Sequence, residues 1–395
     1  MSPSPHHKLF EIAKAGLEAN IVKVGNGSFL SAGSNHFRGF WTRDFCLSVP
    51  ALLKLGHKNV AAHHLNWLLD HTREKDGLVP RVIDSLDTRF RVPAALLRQK
   101  LQLSWPKFSV SDNLAPEYLG EHNTVAIDSN LFVLMSLLQL KEYDSNLDLF
   151  KIRAKTLKKI LHFYAPYFSD GLIYQSRFAD WQDSVDRSGR SFIVNLLYYV
   201  VVSRVSPLLD FEFDAEGFRA RLYRKFFDTH SGLFRTHEQL PHIGLDGNLW
   251  AIEWGLVESE EKTTLYERLK SHSLWQTHGQ PGYVTDRDYP GHWHSWTVQS
   301  VGLNHYHDRL YWSWLMALSA KVAHLCDDFI ESKRLLNRLQ SLAERDGAIG
   351  EIYQPNKDLT PFSSWAYQSE SPFSWGSAKI VEAVLDMAHL GGATT

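Results

Sequence analysis

Helix-period stretches in this chain come in pairs, an apolar one followed by an amphipathic one, and that alternation constrains the fold more than any single motif. Residues 44–55 and 59–73 form the first pair, 128–143 and 148–165 the second, and 191–206 and 215–229 the third. Segments 246–257 with 259–272, and 308–325 with 328–344, continue the series. Four short marks, DGLVP at Asp76, DGLIY at Asp170, SGLFR at Ser231 and DGAIG at Asp346, follow charged helical segments, where glycine usually supplies a left-handed stop. An unpaired amphipathic stretch, 7–20, lies at the beginning and an unpaired apolar one, 373–390, at the end; together they complete a sixth pair.

A helix that is apolar all round must be covered on every side. Six such helices enclosed by six amphipathic ones predict an all-α fold, an (α/α)6 toroid of six hairpins. Uneven repeats with long polar insertions, such as 81–127 and 273–307, favour this closed ring over an open helical solenoid. A single domain over 1–395 is expected.

Composition narrows the partners. With 44% hydrophobic and 22% charged residues the chain can bury a large core. Its 42 Lys and Arg nearly balance 44 Asp and Glu, so no nucleic acid and no membrane partner is expected. The apolar run FIVNLLYYVVVS, 192–203, is too short to cross a bilayer, and MSPSPHHKLFEIAKAG at the start lacks the apolar stretch of a secretory signal. Cys46 and Cys326 lie far apart in apolar helical patterns and read as free thiols, which predicts a cytoplasmic protein.

In a toroid the loops entering the inner helices meet at one mouth, where helix N-termini favour carboxylates and ligand oxygens. Those loops read FRGFWTRDF, EHNTVAIDSN, FADWQDSVDRSGR, GLDGNLW, GHWHSW followed by NHYHDRLYW, and WAYQSESPFSW. An isolated Asp44, Asp128 or Asp246 would be an N-cap. Convergence of so many acids and aromatics predicts instead a funnel of indole faces, with Trp41, Trp181, Trp312 and Trp375, that stacks and hydrogen-bonds a carbohydrate.

Glycoside cleavage needs two carboxyl groups on opposite sides of the scissile bond, one to protonate the leaving oxygen and one to attack or activate water. Asp183 lies two residues after Trp181, whose ring would desolvate it, with Asp180 and Asp186 as further negative charges that favour its protonated form. Glu351 in RDGAIGEIYQP is the second candidate and Glu370 in QSESPF its rival. His292, His294, His305 and His307 show no His-x3-His spacing and no cysteine joins them, so no metal is expected and one or two of them are predicted to contact sugar hydroxyls; no cofactor is expected either.

The segments GFWTRDFCLSVPALL, NTVAIDSNLFVLMSLLQL, DWQDSVDRSGRSFIVNLLYY, DGNLWAIEWGL, YHDRLYWSWL and GEIYQP with SWGSAKIVEAV occur in this order. As an ordered set they resemble the six-hairpin glycosidases, above all the amylo-α-1,6-glucosidase domain of glycogen debranching enzymes and more distantly the neutral invertases and processing α-glucosidases. The resemblance implies a single catalytic barrel acting on carbohydrate, with Asp183 of the Trp-x-Asp segment as general acid and Glu351 of Glu-Ile-Tyr as general base. It places Arg43, Asp44, Asp128, Tyr306 and His307 at the sugar subsite. Relatives act with inversion, which implies carboxyl groups roughly 6.5–9.5 Å apart. Asp186-Arg187-Ser188-Gly189 departs from the Asp-Arg-Arg-Met-Gly of invertases, and a small α-glucoside is the expected substrate. A sugar 2-epimerase using paired histidines, or a sugar-binding toroid without catalysis, are the rival readings.

Overall fold

The structure, a computed structural model, describes residues 6–104 and 107–391. The helices of the six pairs are numbered in chain order: α1 (His7–Ala19), α2 (Thr42–Lys54), α3 (Lys58–Asp70), α4 (Ser129–Tyr143), α5 (Ala154–His162), α6 (Phe192–Leu209), α7 (Ala215–Phe226), α8 (Leu245–Glu253), α9 (Ser259–Ser271), α10 (Ser313–Leu325), α11 (Phe329–Asp346) and α12 (Ser374–Gly391). Even-numbered helices form an inner layer in which α2 packs on α4, α4 on α6, α6 on α8, α8 on α10, α10 on α12 and α12 back on α2. Odd-numbered helices cover them: α3 lies on α2 and α4, α5 on α4 and α6, α7 on α6, α9 on α8 and α11 on α10. The first helix, α1, packs against the last, α12, and against α11.

Burial separates the layers as the sequence pattern requires. Helix α4 buries eleven of its 15 residues, whereas α5 in front of it buries only Leu157, Ile160 and Leu161. Helix α6 runs to Leu209, beyond the apolar run that ends at 203; its 18 residues are long and apolar enough to cross a membrane, yet 67% of them are buried inside the fold.

Three departures from the sequence pattern lie in and beside the segments that join the helices. Helix α10 begins at Ser313 rather than 308, because Tyr311–Trp312 pair as a short strand with Ile352–Tyr353. The 148–165 segment breaks at Arg153 into Leu149–Ile152 and α5. Insertion 81–127 holds a helix of its own, Thr88–Lys100, started by the Asp87 carboxylate accepting the Arg89 amide.

The glycines of the four marks, Gly77, Gly171, Gly232 and Gly347, all have φ between +71° and +77°. Only Gly347 is the cap of a helix, α11; the other three turn the chain into a short extended segment. Each of those segments is gripped by a buried asparagine from the next inner helix. Asn130 accepts from Val79 N at 2.9 Å and donates to Gly77 O, Asn195 accepts from Ile173 N at 2.7 Å and donates to Ile173 O, and Asn248 accepts from Phe234 N at 2.9 Å and donates to Phe234 O. This repeated clamp fixes where each loop leaves the outer layer and enters the mouth.

At the opposite end the inner helices enclose a cavity of about 260 Å³, lined by Gln139, Trp254, Glu253, Lys321, Lys379 and Glu382 among others. Lys321 contacts Glu253 at 2.9 Å and Glu382 at 2.8 Å, and Lys379 contacts Glu382 at 3.1 Å. Burial alone would raise the Glu253 pKa, but Lys321 and Lys379 outweigh it and hold the carboxyl at about 2.

Candidate active site

The site grows from Arg43 in the first turn of α2. Its guanidinium forks onto Asp128, with Nε donating to Oδ2 at 2.9 Å and Nη2 to Oδ1 at 3.2 Å, while Nη1 reaches Asp183 Oδ2 at 3.5 Å. One side chain thus joins the loops before α2, α4 and α6. None of Asp44, Asp128 and Asp246 caps its helix with a side-chain bond. Burial raises the Asp128 carboxyl to about 6, with Arg43 opposing, and it raises Asp44 to about 7, with Arg43 again opposing and Asp183 adding to the rise.

In the loop before α6, Asp183 is the acid that faces outward, with 39% of its side chain exposed. Asp180 does not join it. It forms an ion pair with Arg187, both side chains at 1% exposure or less, and accepts from Gln175 and from the Gln182 amide. Burial would raise the Asp180 carboxyl, but Arg187 and those donors outweigh it and keep it below its ordinary value. Asp186 turns back onto Ser188.

Three of the expected sugar platforms, Trp181, Trp312 and Trp375, are buried rather than open. Trp181 is 2% exposed, donates Nε1–H to Asp246 Oδ2 at 2.8 Å and meets Trp250, Trp312, Trp314 and Trp375 edge to face. It is a keystone of the aromatic core, its ring edge and faces engaged by other aromatic side chains rather than laid open as a broad platform. Trp375 stacks on Trp314 at 4.2 Å, and Trp312 donates to Tyr306 O, each 3% exposed. Large rings beside a crowded axis pack against each other because that removes the most apolar area from water. Trp41 alone among the four is half-buried, with the Arg81 guanidinium 4.7 Å above its ring.

Glu351 is 1% exposed and closely held. Tyr306 donates its hydroxyl to Oε1, Tyr367 donates to Oε2 at 2.6 Å, and the Glu370 amide approaches Oε2 at 3.3 Å. Burial lifts the Glu351 pKa to about 7 against the pull of the two phenols. The Tyr306 phenol is raised well above its ordinary value, first by burial, then by Glu351 and, further down, by Asp183, so it senses both carboxyl groups.

Glu370 is not available for chemistry. Its oxygens accept from the amides of Ser34, Asn35 and Phe37 at 2.9–3.0 Å, and His36 Nδ1 lies 3.2 Å away. Saturated in this way, it pins the loop ahead of Trp41. His307 is 1% exposed, shares a 2.6 Å hydrogen bond with Ser184 Oγ and lies parallel to Trp312, and burial pushes its pKa well down. His294 and His305 turn onto Asp308, apart from His307.

Tyr367 and Gln182, which donates to Asp246 and accepts from Tyr289, are the residues sequence reasoning missed. Nothing local marks Tyr367 among 15 tyrosines, since its partner is 16 residues away and the contact exists only once the 361–368 turn is built.

No protein-family profile matches the chain, and no curated protein matches it in sequence. Among solved structures it is similar to a rhamnosidase from Klebsiella oxytoca with rhamnose bound (TM-score 0.64, 14% identity, 99% of this chain and 65% of that one). It is also similar to a variant glycosidase in complex with glucose (TM-score 0.67, 13% identity, 98% and 100%). A third is the GH63 mannosylglycerate hydrolase from Thermus thermophilus in complex with Tris (TM-score 0.60, 14% identity, 96% and 100%). None of these three is a debranching enzyme, and at such identities the likeness speaks for the backbone: the chain has an all-α fold in common with these glycosidases.

Proposed function

We propose that this protein is a glycoside hydrolase, a single (α/α)6 catalytic toroid that cleaves a small α-glycoside with inversion, with Asp183 as general acid and Glu351 as general base. The closed order of inner-helix contacts supports the toroid, and the structural relatives support the reaction class. The observation that carries the assignment of roles is the contrast between the two carboxyl groups. A carboxylate offers about four acceptor positions. Around Glu351 three are taken by Tyr306, Tyr367 and the Glu370 amide, which leaves one, on Oε1, for a water. Asp183 stands on the open side beside Arg43, where a bound sugar would cover it.

In the reaction Asp183 passes its proton to the glycosidic oxygen as the bond from the anomeric carbon to that oxygen breaks. Glu351 takes a proton from the water whose oxygen forms the new bond on the opposite face. One water is consumed, and solvent restores both carboxyl groups. Arg43, Asp44 and Asp128 supply hydrogen bonds to the sugar, and Trp41 supplies a ring face.

The test uses α-glucosides, α-mannosides and α-rhamnosides carrying leaving groups of graded acidity. Asp183→Asn should lose about 10³-fold or more on alkyl glycosides yet keep much of its rate on dinitrophenyl ones, which need no proton. Glu351→Gln should fail on both, and proton NMR should show the inverted anomer first. The reverse pattern between the two variants, or a retained anomer, overturns the assignment.

A further inference from the structure

We propose that His294, His305 and Asp308 form a binding site for one divalent transition-metal ion of the Zn²⁺ type, which ties down the loop carrying Asp183. This goes beyond the hydrolase reading and does not depend on it. Asp308 Oδ2 lies 3.1 Å from His305 Nδ1 and 3.5 Å from His294 Nε2, and the three ligand atoms all lie within 4.8 Å of one another. Ligands at bond lengths of about 2.0–2.2 Å around a tetrahedral ion are about 3.3–3.6 Å apart, so this triangle needs little adjustment to close on one.

A hydrogen bond from His305 to Asp308 accounts for one side of the triangle. It leaves His294 over. That side chain is 7% exposed, and its buried Nε2 meets the Asp308 carboxylate, itself 0% exposed, only at 3.5 Å, long for a hydrogen bond. A buried polar nitrogen so weakly partnered is costly, and an ion would use its lone pair. His305 is 45% exposed, which provides an entry path and room for water as a fourth ligand. Two imidazoles with one carboxylate suit Zn²⁺ better than Mg²⁺ or Ca²⁺, which favour all-oxygen sets. His305 also adopts φ +58°, a left-handed conformation that an ordered loop must hold in place.

Two links run from this triangle to the acid loop. Tyr289 donates its amide to Asp308 Oδ2 at 3.0 Å and its hydroxyl to Gln182 Oε1 at 2.8 Å, one residue before Asp183. On either side of His294, Trp293 O accepts from Asp186 N at 2.6 Å and Ser295 N donates to Ser184 O at 2.8 Å. An ion here takes no part in bond cleavage; it stiffens the segment on which the proton donor is carried.

The experiment uses the full chain, stripped with a chelator, desalted and titrated with Zn²⁺ against a chromophoric competitor, with metal content read by mass spectrometry. One Zn²⁺ per chain is expected, with a melting temperature raised by about 2–4 °C at saturation. His294→Gln and His305→Gln should each weaken binding by about tenfold or more and abolish the thermal shift, while His292→Gln keeps both. Co²⁺ in place of Zn²⁺ should give the intense visible bands of a four-coordinate ion. His305 is exposed enough for its variant to fold. Failure to retain one ion per chain, or binding that survives His294→Gln and His305→Gln, overturns the proposal, and neither result bears on Asp183 or Glu351.

Discussion

The environment of Glu351 gives its proposed role a pH signature. With its carboxyl at about 7 in the folded protein, a base that must be ionised makes kcat/KM rise through pH 7; a fall through the same range would mark Glu351 as the acid. Removing one of its donors has a defined sign. Tyr367→Phe deletes a hydrogen bond that favours the carboxylate, so the rising limb should move to higher pH and the rate at pH 6 should drop by about tenfold, with less loss at pH 8.5. Asp183 and Glu351 were legible as candidates because a carboxylate two residues after a tryptophan, and another after a glycine-bounded turn, stand out in an ordered set of segments. The surroundings of Trp181 were not. Whether an indole lines a funnel or locks a core depends on which residues arrive from Trp250, Trp314 and Trp375, up to 194 positions further along.

Among the elements, the inner helices were readable from their apolar run alone, with ends within a few residues except at α10, where a two-residue strand displaces the start. The asparagine clamps escaped notice because Asn130, Asn195 and Asn248 sit near helix starts, where a polar residue looks like a cap. They act across the layer instead. Asn195→Ala would leave both the Ile173 amide and carbonyl without their side-chain partner in a buried place, at a cost of about 2–4 kcal/mol measured by urea unfolding. Because that clamp also sets the root of the Asp183 loop, the variant should lose kcat more than its remaining folded fraction accounts for. A variant that is destabilised yet fully active would separate the clamp from the site.

Over the whole molecule the two ends of the inner-helix layer carry opposite electrostatic strains. Asp44 at about 7, Asp128 at about 6 and Glu351 at about 7 are all raised, so the unfolded chain releases these protons first. Their contribution to stability is complete below pH 4 and is lost as pH climbs to about 7, with Glu351 alone worth about 3 kcal/mol. Glu253 behaves in the other sense: its contribution is present above pH 4.5 and disappears as pH falls to about 2. Thermal melts should therefore show stability declining from pH 5 to pH 8, with a flatter profile in Glu351→Gln. Lys321→Met, which strips the shared cation from Glu253 and Glu382, should cost about 3 kcal/mol at pH 7 and less at pH 3.

The packing of α1 against α12 sets a timetable. A ribosome delivers the chain from one end, so α1 emerges with its apolar face bare and waits for about 300 residues to be made before α11, and then α12, can cover it. Until α12 is released, α2 and α10 likewise each lack a neighbour. Until then the nascent protein is an open arc with sticky edges, dependent on shielding by chaperones, and the closing step of its folding is the docking of α12.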